Sequence, residues 1–132
     1  MQQKSKVLET GGGFAVLVVD DEPFVRMDMA EVLRQAGFDV EEASNSDEAL
    51  AKLRGGYPLR ALVTDVQMPG TMNGYGLAKL VHKLFPQAAI VVNSGVVRPS
   101  LGEMPSNATF LAKPVIPERL VRAINEALAK PA

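Results

Sequence analysis

The sequence has no cysteine and no tryptophan, a single histidine, and only 5% aromatic residues. Without cysteine there can be no disulfide, no thiolate nucleophile and no sulfur-bound metal. That composition fits a reducing compartment and the cytoplasm. One histidine cannot build a histidine metal cluster or a catalytic dyad; His82 lies in a helical pattern beside Val81 and reads as a helix-surface residue. Charge of one sign is also lacking. Fourteen Lys and Arg face fifteen Asp and Glu, for a net charge of −1, and the basic residues do not cluster. No electrostatic footprint for nucleic acid or an anionic membrane results. No apolar run approaches the ~20 residues of a membrane helix. Residues 1–13 are polar, end in three glycines and lack the apolar middle of a signal peptide, so they read as a flexible leader. What remains is a chain of 132 residues, 47% hydrophobic, enough to pack one core. The reading is a single domain over 14–130 with no output domain.

Within that domain, apolar runs and helical periodicity alternate. Phe14 to Val19 is continuously apolar, as in a strand buried on both faces, and runs into Asp20 and Asp21. Pro23 can open a helix carrying Val25, Met29, Val32, Leu33 and Ala36 at helical spacing, which Gly37 stops. Phe38 to Glu42 reads as a second strand, and Ser46 as the N-cap of a helix with Ala49, Leu50 and Leu53, closed by Gly55-Gly56. Arg60 to Thr64 is a third strand ending on Asp65. Leu77, Leu80, Val81 and Leu84 form one face of a third helix that ends before Pro86. Ala88 to Val92 and Thr109 to Ala112 are the last strands, and Pro117 opens a helix with Leu120, Val121, Ile124 and Leu128 on one face. Between those strands, Gly95 to Asn107 contains Gly95, Pro99, Gly102 and Pro105, which predicts a segment with no more than one helical turn, between Ser100 and Met104. The fold class is therefore α/β: a five-stranded parallel sheet, doubly wound, with its fourth helix degenerate.

Functional groups of open parallel sheets gather at the carboxyl ends of the strands. Here those ends carry Asp20, Asp21 and Glu22, then Asp65, then Asn93 and Ser94, then Lys113 followed by Pro114. Carboxylates brought together repel and raise each other's pKa, and a hard cation relieves the repulsion. Mg²⁺ takes oxygen ligands and keeps several waters. Asp21 and Asp65 are candidate direct ligands, the Gln67 backbone carbonyl a third, and Asp20 a holder of a coordinated water. Such a site can receive a phosphoryl group on Asp65, with Lys113 pairing with Asp65 at rest and with phosphoryl oxygens afterwards. Each residue has a plainer reading: an acidic helix start, a loop cap, a surface lysine. Their joint position on one sheet edge favours the site.

In these segments the chain resembles the receiver domains of bacterial response regulators. The matching pieces are VLVVDDEP (16–23), VTDVQMPG (63–70), NGYGLA (73–78), VVNSG (91–95) and FLAKP (110–114), in that order, and the likeness is strongest to short single-domain receivers of alpha-proteobacteria. The resemblance implies a flavodoxin-like receiver fold, Asp65 as phosphoacceptor, Asp20 and Asp21 as the acidic pair, and Lys113 as the family's lysine, often followed by a cis proline. It implies Phe110 as the aromatic switch residue, a sensor histidine kinase or phosphotransfer protein as donor, and a downstream protein partner. Two features depart from the family. A Thr or Ser hydroxyl usually closes the fourth strand; here Asn93 takes that place by strand alignment, and Ser94 takes it after a one-residue shift. The family's fourth helix, part of its output surface, is replaced by the proline-broken segment.

Other classes fit less well. A haloacid-dehalogenase-type phosphohydrolase needs a second acid two residues after its nucleophile, where this chain has Gln67. A flavodoxin-like cofactor binder needs an anion nest after the first strand, where Asp20-Asp21-Glu22 would repel a flavin phosphate. A receiver that signals without phosphorylation conflicts with the intact Asp21, Asp65 and Lys113 set, although Asn93 keeps that reading open.

Overall fold

The structure, a computed structural model, describes residues 13–95, 99 and 102–129. Strand β1 (Ala15–Val19) leads through helix α1 (Pro23–Gln35) to β2 (Asp39–Ala43), and α2 (Ser46–Arg54) leads to β3 (Ala61–Asp65). Helix α3 (Gly74–Leu84) precedes β4 (Ala89–Ser94), and β5 (Thr109–Ala112) is followed by α4 (Pro117–Ala129). The strands form one parallel sheet in the order β2-β1-β3-β4-β5. No helix occurs among the described residues between β4 and β5. The expected leader, apart from Gly13, and the start of the expected turn between Ser100 and Met104 lie outside the described residues.

Strand alternation divides the apolar side chains between two cores. Leu17, Val19, Leu62, Ile90, Val92 and Phe110 pack with Ala49, Leu50 and Leu53 of α2 and Leu77, Ala78 and Val81 of α3. On the other face, Val16, Val18, Ala61, Val63, Ala89 and Val91 pack with Met29, Ala30 and Leu33 of α1 and Leu120, Ala123 and Ile124 of α4. The three central strands are buried along their whole length, which is why they read as unbroken apolar runs. Edge strand β2 is more exposed, with Val40 buried in the core under α1 and Ala43 in the core of the other face.

The helix starts position the loops. Pro23 occupies the first turn of α1, and the Glu22 carboxylate accepts from the Phe24 N–H at 3.1 Å. At α2 the expected cap is displaced by one residue. Asn45, not Ser46, is the N-cap: its backbone is extended and its Oδ1 accepts the Glu48 N–H at 2.8 Å. The Glu48 carboxylate in turn accepts the Ser44 N–H at 2.8 Å, a variant of the capping box. Ser46 lies inside the helix and is fully buried. Strand β4 also runs to Ser94, two residues past the expected end, because Asn93 and Ser94 continue the ladder with Leu111 and Ala112.

Helix α3 begins against the end of β3. The Gly74 N–H bonds the Val66 carbonyl at 2.9 Å, and a Cβ at residue 74 would overlap the Asp65 carbonyl oxygen. No side chain fits there without moving backbone. Gly74→Ala is expected to destabilise the protein by about 3 kcal/mol, the upper part of the overpacking range, read as a lower urea midpoint with an unchanged m-value. A loss within 0.5 kcal/mol would show that α3 can retreat from β3.

Candidate functional site: an acidic cleft at the ends of β1 and β3

Strand order reverses about β1, which pairs with β2 on one side and β3 on the other. The carboxyl ends of β1 and β3 flank the crevice this creates, where ligands of such sheets bind. Asp20 follows β1 directly and is fully buried, Asp65 ends β3 and is buried, and Asp21 is exposed. Carboxylate oxygens of the three lie within 4.8 Å of one another. Lys113, just past β5, places its Nζ 3.1 Å from Asp20 Oδ2 and 3.5 Å from Asp65 Oδ1. The Lys113–Pro114 peptide is cis. The expected convergence of three acids and one ammonium is what the fold produces.

Backbone donors fix the acids further. The Glu22 N–H donates to Asp20 Oδ1 at 2.9 Å, and the Val66 N–H to Asp65 Oδ1 at 2.8 Å. Burial raises the Asp65 pKa above its ordinary 3.8; the Lys113 charge opposes this and the Asp20 charge adds to it. An all-oxygen donor set with one acid exposed and one destabilised as an anion fits a hard divalent cation such as Mg²⁺. Gln67 is exposed in the loop after β3 and lines, with Asp21, an open depression of about 620 Å³ that Met68, Tyr75 and Glu103 also border.

At the end of β4 the two candidates part. Asn93, fully buried, faces α1: its Nδ2 donates to the Met29 sulfur at 3.1 Å, and its Oδ1 has no hydrogen-bond partner among the described residues. Ser94 is also buried, and by strand alternation it falls on the face of Ile90, Val92 and Phe110. Phe110 itself is buried in the core under α2 and α3.

Several residues that shape the cleft gave no signal in the sequence. Arg26 of α1 donates to the Asp20 carbonyl at 3.0 Å while its Nε pairs with Glu42 at 3.1 Å, bracing the turn after β1 from the end of β2. Glu103, from the segment before β5, raises the pKa of Tyr75, although burial contributes more. Helical spacing places Arg26 on α1 but does not say which loop it reaches; only the pairing of β1 with β2 brings Glu42 beside it.

The model of the response regulator receiver domain matches residues 16–125. The chain is 35% identical over 118 residues to the chemotaxis protein CheY of Thermotoga maritima, covering 86% of this chain and 97% of that protein. It is 32% identical over 129 residues to the sensor kinase CckA of Brucella abortus, covering 95% of this chain but only 14% of the kinase. Among solved structures, a CheY-like response regulator receiver domain protein from Methanospirillum hungatei superposes with a TM-score of 0.77 at 28% identity, over 87% of this chain and 93% of that one. The parallel α/β fold, with acids and a lysine gathered at one sheet edge, is that of a receiver-type signalling domain. The chain belongs to the response regulator receiver family of two-component signalling. Members of that family are signalling domains that interact with histidine kinases and downstream targets. Among the described residues no helix is long and apolar enough to cross a membrane.

The raised Asp65 pKa has a consequence for stability. The folded state holds the Asp65 proton to higher pH than the unfolded chain does, so the metal-free protein loses stability as pH rises from the ordinary carboxylate value through the raised one. Asp65→Asn removes this loss. Without Mg²⁺ the variant is expected to melt above wild type at neutral pH, with the difference shrinking on acidification below the ordinary carboxylate value; a wild-type advantage at neutral pH would mean that the Lys113 pairing outweighs burial.

Proposed function

We propose that this chain is a stand-alone receiver that accepts a phosphoryl group from a histidine kinase, or from a phosphotransfer protein, onto Asp65 in a Mg²⁺-dependent reaction, and signals through protein contacts or phosphorelay in the cytoplasm. The observation that carries this reading is the placement of Asp65 between Asp20, Asp21 and the Lys113 ammonium at a strand end.

Both the Val66 N–H and Lys113 contact Oδ1 of Asp65, which leaves Oδ2 as the attacking oxygen. Oδ2 forms a bond to phosphorus as the phosphorus–nitrogen bond of the donor phosphohistidine breaks. The imidazole keeps that electron pair, takes a proton and leaves neutral, and Asp65 becomes an acyl phosphate. A divalent cation held by Asp21, Asp65 and the Gln67 carbonyl, with Asp20 on a coordinated water, would supply charge neutralisation for the transferred oxygens. Lys113 follows the new phosphoryl group with a charge-assisted hydrogen bond and releases its hold on Oδ1.

The side on which each β4 residue falls supports Ser94, rather than Asn93, as the hydroxyl that answers the phosphoryl group. Asn93 is engaged with Met29 under α1, whereas Ser94 shares its face with Phe110, the candidate switch aromatic. On this reading the chain has the family's hydroxyl, and Asn93 is the residue before it.

Acetyl phosphate with Mg²⁺ is expected to add one phosphoryl mass to the intact protein. The adduct should be absent in Asp65→Asn and in EDTA, and should form more slowly in Lys113→Ala; labelling that survives Asp65→Asn would overturn the assignment. Ser94→Ala is expected to suppress the beryllofluoride-induced NMR shifts around Phe110, while Asn93→Leu leaves them in place. The reverse pattern would return the role to Asn93.

A further inference from the structure

The loop from Val66 to Asn73 bears Gln67 and leaves β3 on the exposed side of the cleft. One end is tied to α3 by the Gly74 to Val66 hydrogen bond and by the Asn73 side chain, which caps α3 through the Gly76 N–H at 3.0 Å. Its middle is held by a helix that contributes none of the acids, the lysine or the carbonyl. The fully buried Ser46 of α2 donates to the Met72 carbonyl at 3.0 Å. Asp47 accepts from the Thr71 hydroxyl at 2.7 Å. Between them Gly70 passes against the helix start in the left-handed region, at φ +120°, where a Cβ would sit 3.4 Å from Asp47 Oδ2 and 3.5 Å from Ser46 Oγ. Gln67 to Pro69 thus form a short arc fixed at both ends, with Asp21 and Gln67 bordering the same depression.

We propose that Ser46 and the Asp47–Thr71 pair are positioning residues for cation binding: by clamping this loop to α2 they hold the Gln67 carbonyl in reach of Asp21 and Asp65. The inference rests on the Mg²⁺-dependent reading above. A carbonyl ligand contributes fully only when the backbone carrying it is already ordered, because a mobile loop must lose conformational entropy when the ion arrives. The slipped cap at Asn45 is what frees the clamp. A serine serving as N-cap would spend its hydroxyl on its own helix, whereas Ser46, one residue inside, can donate across to the loop.

Calorimetric titration of the whole chain with Mg²⁺ tests this. Ser46→Ala and Thr71→Val each remove one clamp bond without changing charge, and each is expected to weaken Mg²⁺ binding about fivefold, as for the loss of one ordinary hydrogen bond. Thr71→Ser, which keeps the hydroxyl, should bind like wild type. A merely structural role would lower the metal-free melting temperature and leave Mg²⁺ affinity within twofold of wild type, and that result overturns the inference. Should Ser46→Ala fail to fold, the exposed Thr71→Val decides alone. If wild type itself takes no Mg²⁺, the receiver reading fails and this inference with it; if wild type binds and the clamp variants bind equally, only the clamp fails.

Discussion

The cleft depends on one ammonium. Lys113 reaches from beyond β5, at the edge of the sheet, across to Asp20 after β1 and Asp65 at the end of β3. A carboxylate as deeply buried as Asp20 is costly unless a charge and hydrogen bonds answer it. Asp20 has Lys113 on one oxygen and the Glu22 N–H on the other. Asp65 shares the same lysine at longer range and remains the less satisfied anion of the two. The sheet order is what lets a single lysine serve both.

Support for the cleft comes from outside it, and in each case through backbone. Arg26 holds the Asp20 carbonyl from α1, Ser46 holds the Met72 carbonyl from α2, and Gly74 lets α3 close on the end of β3. None of the three side chains belongs to the acidic set. Asp20, Asp21 and the loop that follows Asp65 thus take paths set by the helices, and the helices are set in turn by the two cores under them.

This hierarchy accounts for what the sequence discloses and what it conceals. The central strands are visible because burial on both faces writes them as nearly unbroken apolar runs, and Asp20 and Asp65 are visible because each follows such a run; Lys113 follows the short edge strand β5, only one residue of which is buried. The cap of α2 falls one residue before the serine because serine and asparagine are near-equal caps and Asn45-Ser46 offers both, while the Ser46 hydroxyl is taken by the Met72 carbonyl, 26 residues away. The end of β4 was set too early because Asn93 and Ser94 are polar, and only their pairing with β5 keeps them in the sheet. Arg26, Ser46 and Glu103 act through partners distant in sequence, so residue type and spacing give no hint of their roles.

The division of the strands between two cores also bears on how the domain can change over generations. In β4, Ile90 and Val92 belong to one core, Ala89 and Val91 to the other, and Asn93 and Ser94 follow the same alternation. A one-residue insertion before Ala89 would exchange every one of these positions and turn two polar groups onto the wrong faces. Length changes there are lethal to the design in a way that substitutions are not. The stretch from 102 to 108 has no ladder to keep in phase. A change of length there leaves the register of β4 intact, so this sheet edge has room for insertion that the strand beside it lacks.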